Sequence, residues 1–357
     1  MNLRRTVKIK IENIDIQETL DQYFAAYQYC LDKGFAVGSY SKKKLHDATY
    51  INLREMYPRL TSNLVQTARD VACENLKSIK LKTKPKAKSK FIRYDRRNFS
   101  FKNGLVSIST TKGRLKFVVN LPEYAKKYLT WNCKAAILFQ KKNKLYLSLI
   151  FETVVIPTIK PNKVLGIDRG INNIVVTSNN QFYNSKHLKK VKGKYQYLRA
   201  QLQSKGTPSA KRKLRKISGK EKRFTMDVNH CLSKQLAAQD FNCYVLEDLT
   251  KIRKRNNGRK FNRKLGNWSF YQLEQFLWYK LEEQGKTLVK VKPEYTSQRC
   301  SKCGHVEKSN RNKNQFRCKS CGFELHADLN VARNIAYLGI SEISRLSINR
   351  PNVMTIC

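Results

Sequence analysis

Four of the ten cysteines stand as two C-x-x-C pairs, Cys300-Ser-Lys-Cys303 and Cys318-Lys-Ser-Cys321, and no other local pattern leaves the backbone so little choice. Each pair can present two thiolates from one knuckle, and two knuckles close a tetrahedral zinc site. Gly304 and Gly322 directly follow the pairs, where a knuckle needs an unhindered backbone. The fourteen residues between the pairs are one short of the usual window. A redox reading of the pairs would want a thioredoxin-like setting, which the surrounding sequence lacks. The expectation is one structural Zn²⁺ on Cys300, Cys303, Cys318 and Cys321, contributing folding energy rather than catalysis. His305 and His326 flank the site, but four sulfurs already complete the coordination. Cys30, Cys73, Cys133, Cys231, Cys243 and Cys357 stand alone and read as small buried hydrophobes. That usage suits reduced thiols rather than a secreted disulfide scaffold.

Charge narrows the partners. Lys and Arg number 72 against 26 Asp and Glu, a net charge of +46, and self-repulsion on that scale calls for a polyanion to neutralise it. With 41% apolar residues the chain still builds real cores, and 357 residues suggest two or three domains. The longest apolar runs, Ala135–Phe139 and Thr153–Ile159, fall far short of the ~20 residues of a membrane helix. The N-terminus lacks the apolar stretch of a signal peptide. A cytoplasmic nucleic-acid-binding protein without membrane contact is expected.

The N-terminal half alternates between patterns. Val7–Ile11 reads as a half-buried strand, and Asn13, a plausible N-cap, opens a helical pattern to Gly34. A second helical stripe runs from Leu64 to Ile79 and exits into Lys77–Lys90, where seven of fourteen residues are lysine. Phe99–Lys102 and Leu105–Thr110 flank Asn103-Gly104, a strong hairpin signal. Arg114–Leu121 follows, then Ala135–Phe139 and Leu145–Phe151 as another hairpin. These strands together predict a small antiparallel β-barrel interrupted by a helical insert, of a kind that commonly binds oligonucleotides.

Beyond residue 160 the pattern changes. Val164–Asp168, Asn173–Ser178 and Gln181–Tyr183 read as a meander, and residues 186–240 as a helical hairpin broken near Gly206-Thr-Pro208. Cys243–Glu247 is a buried strand, Trp268–Gly285 a helix, Thr287–Val291 a strand and Asp328–Ile340 a last helix. Leaving out the cysteine segment, the order is β-β-β-α-β-α-β-α, that of an RNase H-like fold. In such a sheet the first and fourth strands are neighbours and the last helix crosses them. Asp168, Glu247 and Asp328 would then meet at one point. Three converging carboxylates repel unless hard divalent cations join them, so two Mg²⁺ or Mn²⁺ ions and phosphodiester hydrolysis are expected. Each acid alone could be a turn former, an exposed strand end or a helix-start acid. Asp248 and Asp240 are decoys, and Glu247 is preferred because the apolar Tyr-Val-Leu run leads into it.

At this point the motifs are recognisable. Gly166-Ile-Asp168-Arg-Gly170, Leu246-Glu247-Asp-Leu249, Thr296-Ser-Gln-Arg-Cys300, Cys318-Lys-Ser-Cys321-Gly and Ala327-Asp328-Leu-Asn330 occur in order, and the chain resembles the TnpB family of insertion-sequence OrfB proteins, related to type V CRISPR effectors. The resemblance is specific over residues 161–340; in the N-terminal half only the barrel-with-insert layout agrees. It implies an RNA-guided DNA endonuclease with a RuvC-type site at Asp168, Glu247 and Asp328 and a zinc ribbon on the four cysteines. The guide would be an RNA from the transposon end, the target double-stranded DNA with a short adjacent motif, the particle a monomeric ribonucleoprotein. His326-Ala-Asp328 stands where the family often has an acidic-Arg-Asp pattern, leaving the metal-binding acid intact.

The implied layout is a wedge-like barrel from 1–11 and 89–160, a recognition insert at 12–88, a RuvC-like domain from 161–295 and 327–357, and a zinc-ribbon insert at 296–326. A compact CRISPR effector, a non-cleaving regulator, a junction resolvase and a transposase proper are the rivals; the last lacks any His-x-His motif. Lys251–Lys264 has eight basic residues in fourteen and reads as a mobile lid over the cleft, with a solvated connector as the bland alternative.

Overall fold

The computed structural model describes residues 2–348 apart from 13, 86–88, 142, 157–161, 251, 253–257, 259–261 and 263–267, with side chains as far as 342. The chain divides into two compact units, Asn2–Val154 and the residues from Val155 onward. Among the described residues, no helix is long and apolar enough to cross a membrane.

In the first unit β1 (Asn2–Ile11) pairs antiparallel with β7 (Lys144–Val154), which pairs with β6 (Asn132–Lys141), which pairs with β2 (Phe91–Tyr94). Alternation builds β1: Val7, Ile9 and Ile11 point into the core while Lys8 and Lys10 stay exposed. A separate meander holds β3 (Phe99–Lys102), β4 (Leu105–Thr110) and β5 (Gly113–Val118). Three helices lie between β1 and β2: α1 (Gln17–Ala36), α2 (Lys42–Met56) and α3 (Ser62–Ser78). Leu20, Tyr23 and Leu31 of α1 and Leu64, Ala68 and Leu76 of α3 share one core with Leu138, Leu147 and Leu149. The sequence pattern missed α2, whose buried stripe is only Leu45, Thr49 and Leu53 in a charged helix. The expected cap, Asn13, lies outside the described residues.

The expected barrel is corrected by this pairing. Closure requires every strand edge to be hydrogen-bonded, yet among the described residues the ladders end at β1 and β2 and the meander forms its own sheet. The meander instead packs face-on, with Phe101 edge-to-face on Phe151 at 5.7 Å. Its outer strand β5 alternates exposed with half-buried residues, as an edge does.

The second unit is built on one five-stranded sheet of β8 (Val164–Asp168), β9 (Asn173–Thr177), β10 (Phe182–Asn184), β11 (Cys243–Glu247) and β12 (Thr287–Val291), in spatial order β10-β9-β8-β11-β12. β11 lies parallel between β8 and β12, and its first four residues are buried. Between β10 and β11 run three helices where a two-helix hairpin was expected: α4 (Lys186–Lys205), α5 (Pro208–Ile217) and α6 (Lys220–Ala237). The break at Gly206-Thr-Pro208 is there, and a second falls at Gly219. α7 (Phe270–Glu283) precedes β12, and α8 (Ala327–Ile348) closes the described chain. Leu236, Leu273, Leu277 and Leu281 cover one sheet face; Val331 and Ile335 cover the other. Between β12 and α8 sits a three-stranded ribbon of β13 (Arg311–Asn312), β14 (Gln315–Arg317) and β15 (Glu324–His326). Of the basic stretch 251–264, all but residues 252, 258 and 262 lies outside the described residues, and with it Arg253, Lys254, Arg255, Arg259 and Lys260.

One close approach sets where α8 crosses the sheet. A Cβ at Gly166 would stand 2.1 Å from the Ala332 carbonyl oxygen and 2.5 Å from the Ala336 nitrogen, so only glycine lets helix and strand touch. Gly166→Ala should therefore cost about 1–3 kcal/mol, as other forced insertions into packed interiors do. Thermal unfolding reads this against Gly193→Ala, where an added Cβ meets nothing and the melting temperature should not fall.

Candidate active site and metal centre

Asp168 ends β8 and Glu247 ends β11, and the parallel register pairs Ile167 with Leu246 just before them. Asp328 stands in the first turn of α8, the helix that lies on β8 at Gly166. Asp168 senses both other carboxylates. Burial holds Asp168 well above the usual carboxylate range, and the negative charges of Glu247 and Asp328 push it further the same way. Burial also raises Glu247, against the Thr296 hydroxyl, which donates to Glu247 Oε1 at 2.5 Å. Asp328 accepts from Arg311 Nη2 at 3.0 Å on one oxygen and from Asn173 Nδ2 at 3.0 Å on the other. The Arg311 charge also eases the ionisation of Asp168 and Glu247. The two decoys face elsewhere: Asp248 is exposed and accepts from the Thr250 backbone N–H, and Asp240 is an exposed partner of Lys163.

Beneath the strand ends lies a buried cation. Arg169 donates to the Glu247 carbonyl oxygen at 2.5 Å, to the Phe270 carbonyl at 3.3 Å and to Glu274 Oε2 at 2.8 Å. Its side chain is 1% exposed and that of Glu274 5%, and Lys290 reaches the second Glu274 oxygen. The guanidinium thus ties β8, β11 and α7 together directly under the acids. Its only signal in the sequence is its place beside Asp168. Thr296, Arg311 and Asn173 carry no signal, because their partners lie 49, 17 and 155 residues away.

The four cysteines form the other centre. Their sulfurs all lie within 4.8 Å of one another, the one such group of potential metal ligands among the described residues. Cys300 Sγ is 3.8 Å from Cys321 Sγ and Cys303 Sγ 3.6 Å from Cys318 Sγ. A tetrahedron with Zn–S bonds of ~2.3 Å has edges of about 3.8 Å, so the donor set fits zinc. Each knuckle turns on its glycine: Gly304 donates to the Cys300 carbonyl and Gly322 to that of Cys318, with φ of 81° and 69°. Two asparagines one helical turn apart clamp the first knuckle to α8. The Ser301 N–H donates to Asn330 Oδ1 at 2.9 Å, and Asn334 Nδ2 donates to the Thr296 and Arg299 carbonyls at 2.9 and 2.6 Å. Asn334 therefore supports Thr296 from α8, and Thr296 holds Glu247.

Two outcomes follow from these geometries. Cys300→Ser should lower bound zinc from one equivalent to about zero by elemental analysis and lower the melting temperature, since the metal's binding energy is folding energy. Asp168 binds its proton more tightly folded than unfolded, so its ionisation costs stability: the cost is absent below the unfolded value, grows through the window above it and is complete above the folded value. Metal-free Asp168→Asn should melt above the parent at pH 8 by about 2–4 °C, the shift of roughly 1 kcal/mol in a domain of this size. The gap should close towards pH 4; a gap that widens on acidification would refute the assignment.

With the geometry in place, the chain can be set beside known proteins. Residues 148–255 match the OrfB_IS605 family model, described as a probable transposase, and residues 270–335 match the Cas12f1-like TNB domain. The chain is 31% identical over 233 residues to the CRISPR-associated endodeoxyribonuclease Cas12f1 of Sulfoacidibacillus thermotolerans, covering 58% of this chain and 53% of that protein. It is 33% identical over 127 residues to a TnpB-like protein of Methanocaldococcus jannaschii, covering 34% of this chain and 45% of that one. The chain thus spans about half the length of these curated relatives. A cryo-EM structure of a Cas12f1–sgRNA–target DNA complex contains a similar fold, with a TM-score of 0.59 and 17% identity over 90% of this chain and 80% of that one.

Proposed function

We propose that this relative of the TnpB and Cas12f1 proteins is an RNA-guided DNA endonuclease that cleaves double-stranded target DNA beside a short adjacent motif. The observation that carries the reading is the placement of Asp168 and Glu247 at adjacent strand ends and of Asp328 on the helix that crosses them, with Glu247 held by Thr296 and Asp328 by Arg311 and Asn173, next to a four-sulfur ribbon. The sheet order, with β8 beside β11, supports an RNase H-like, RuvC-type domain. The Cas12f1 name and the guide–target complex supply the partners: a guide RNA, here taken to come from a transposon end, and target DNA. A charge of +46 suits a protein that holds a heteroduplex by its backbone and leaves sequence reading to base pairing.

Asp168, Glu247 and Asp328 supply the hard oxygen donors that Mg²⁺ or Mn²⁺ prefer, although their oxygens do not all lie within 4.8 Å of one another as the four sulfurs do. When bound, two such ions would activate a water and stabilise the leaving oxygen. The chain's own part is to position. Arg169 sets the spacing of the strand ends, Thr296 orients Glu247, and Asn173 holds Asp328. Arg311, on the ribbon, supplies a positive charge that can turn from Asp328 to a phosphate. We assign the wedge-like part to 1–11 and 89–160, the recognition insert to 12–88, the nuclease to 161–295 and 327–357 and the ribbon to 296–326.

Asp168→Ala, Glu247→Ala or Asp328→Ala should each lower Mg²⁺-dependent cleavage at least 10³-fold, by order of magnitude for a lost metal ligand, and preserve guide and target binding. Near-normal cleavage by one variant would remove that acid from the site. A compact type V CRISPR effector has the same chemistry with another guide source, and sequencing the co-purified RNA tells the two apart.

A further inference from the structure

We propose that the cavity backing onto the Asp168 strand end seats one unpaired nucleotide of a single strand, with its base in an aromatic lobe and its phosphate in an adjoining basic lobe. The inference deepens the proposed function and rests on it for the class of ligand. The first lobe measures about 370 Å³ and lies among α4, α6 and α7. Trp268 and Phe270 make one wall, their rings 5.0 Å apart and tilted by 49°, and Ile174 and Leu188 face them. Such a lobe offers an apolar, sequence-tolerant surface to a base. Asn229, 1% exposed, also lines it; its amide N–H groups are taken by Ser269 and Gln272, while its Oδ1 has no donor, which an N–H on a base edge would supply.

The second lobe, also about 370 Å³, shares Lys192 and Ser269 with the first. Arg199, Lys222 and Gly219 line it, and Gly219 opens the eighteen-residue α6. A helix N-terminus beside Lys192 and Lys222 suits a phosphate, and Glu221, the acid in that turn, is already paired with Arg199 at 2.6 Å. Lys186, Lys189, Lys190 and Lys194 continue the positive charge along α4. Arg169 lines the base lobe and touches the Glu247 carbonyl. A nucleotide held there is anchored one wall away from the acids, and its strand can run on towards them.

The test uses the full chain in EDTA, so that cleavage plays no part, with short fluorescent single strands of DNA and of RNA and the matching DNA duplex. Gly193→Trp enters the lobe from a helix position where an added Cβ meets nothing, and circular dichroism and the melting temperature check that the fold is kept. It should weaken single-strand binding about tenfold, the effect of losing one stacked base, and leave duplex binding unchanged. Trp268→Ala should do the same, and Lys192→Gln with Lys222→Gln should flatten the salt dependence of single-strand binding. A 2-aminopurine base in the strand should be quenched by the parent and stay bright with Gly193→Trp. A loss confined to the DNA or the RNA arm supports the pocket and names its strand. Unchanged affinity and unchanged quenching in Gly193→Trp overturn it. If the parent fails to cleave with guide and Mg²⁺ while these effects persist, the nuclease reading falls and the pocket stands.

Discussion

The repulsion among three half-buried carboxylates is the constraint around which the second unit is arranged. A fold does not gather these acids for stability, because burial acts against the charge of Asp168 and Glu247 and the neighbouring acids act further against that of Asp168. Their surroundings offset that cost locally. Arg169 lies below the strand ends, Arg311 reaches across from the ribbon, and Thr296 and Asn173 each give a hydrogen bond to one acid. The Asp168 side chain accepts no hydrogen bond among the described residues and depends on the charges of Arg311 and Arg169. Such an arrangement gives up stability at the Asp168 corner, which is what the proposed cation would restore.

The same logic explains why the ribbon sits between β12 and α8. Its knuckle is bolted to α8 through Asn330 and Asn334, and its loops deliver Thr296 to Glu247 and Arg311 to Asp328. Four clustered sulfurs stand in a segment with almost no hydrophobic core: Cys300, Cys318, Phe316 and Ala327 are its buried cluster. Without a metal staple so small a module would be too loose to orient two side chains.

Much of this was legible in the residues. Alternation marked β1, Asn103-Gly104 marked the β3–β4 hairpin, and apolar runs ending in an acid marked β8 and β11. What failed was long-range pairing. A list of antiparallel strands does not say whether the last ladder closes, and the barrel gave way to two packed sheets. α2 escaped because three buried residues in fifteen make a stripe too thin to see. The residues that hold the acids were invisible for a plainer reason: a threonine, an asparagine and two arginines in a chain with 72 Lys and Arg carry no pattern until the fold brings their partners to them.

The contact at Gly166 has a consequence in time. The strand that carries the first acid is made early, whereas the helix that packs on it, through Ala332 and Ala336, is made about 160 residues later. On the ribosome, where synthesis runs at roughly 5–20 residues per second, β8 and β11 can pair while α8 is still unmade. For several seconds the nascent sheet exposes Gly166 and the apolar face meant for Val331 and Ile335, and two acids wait without the third. Such a chain carries the lysines of its N-terminal unit well before it has all three carboxylates.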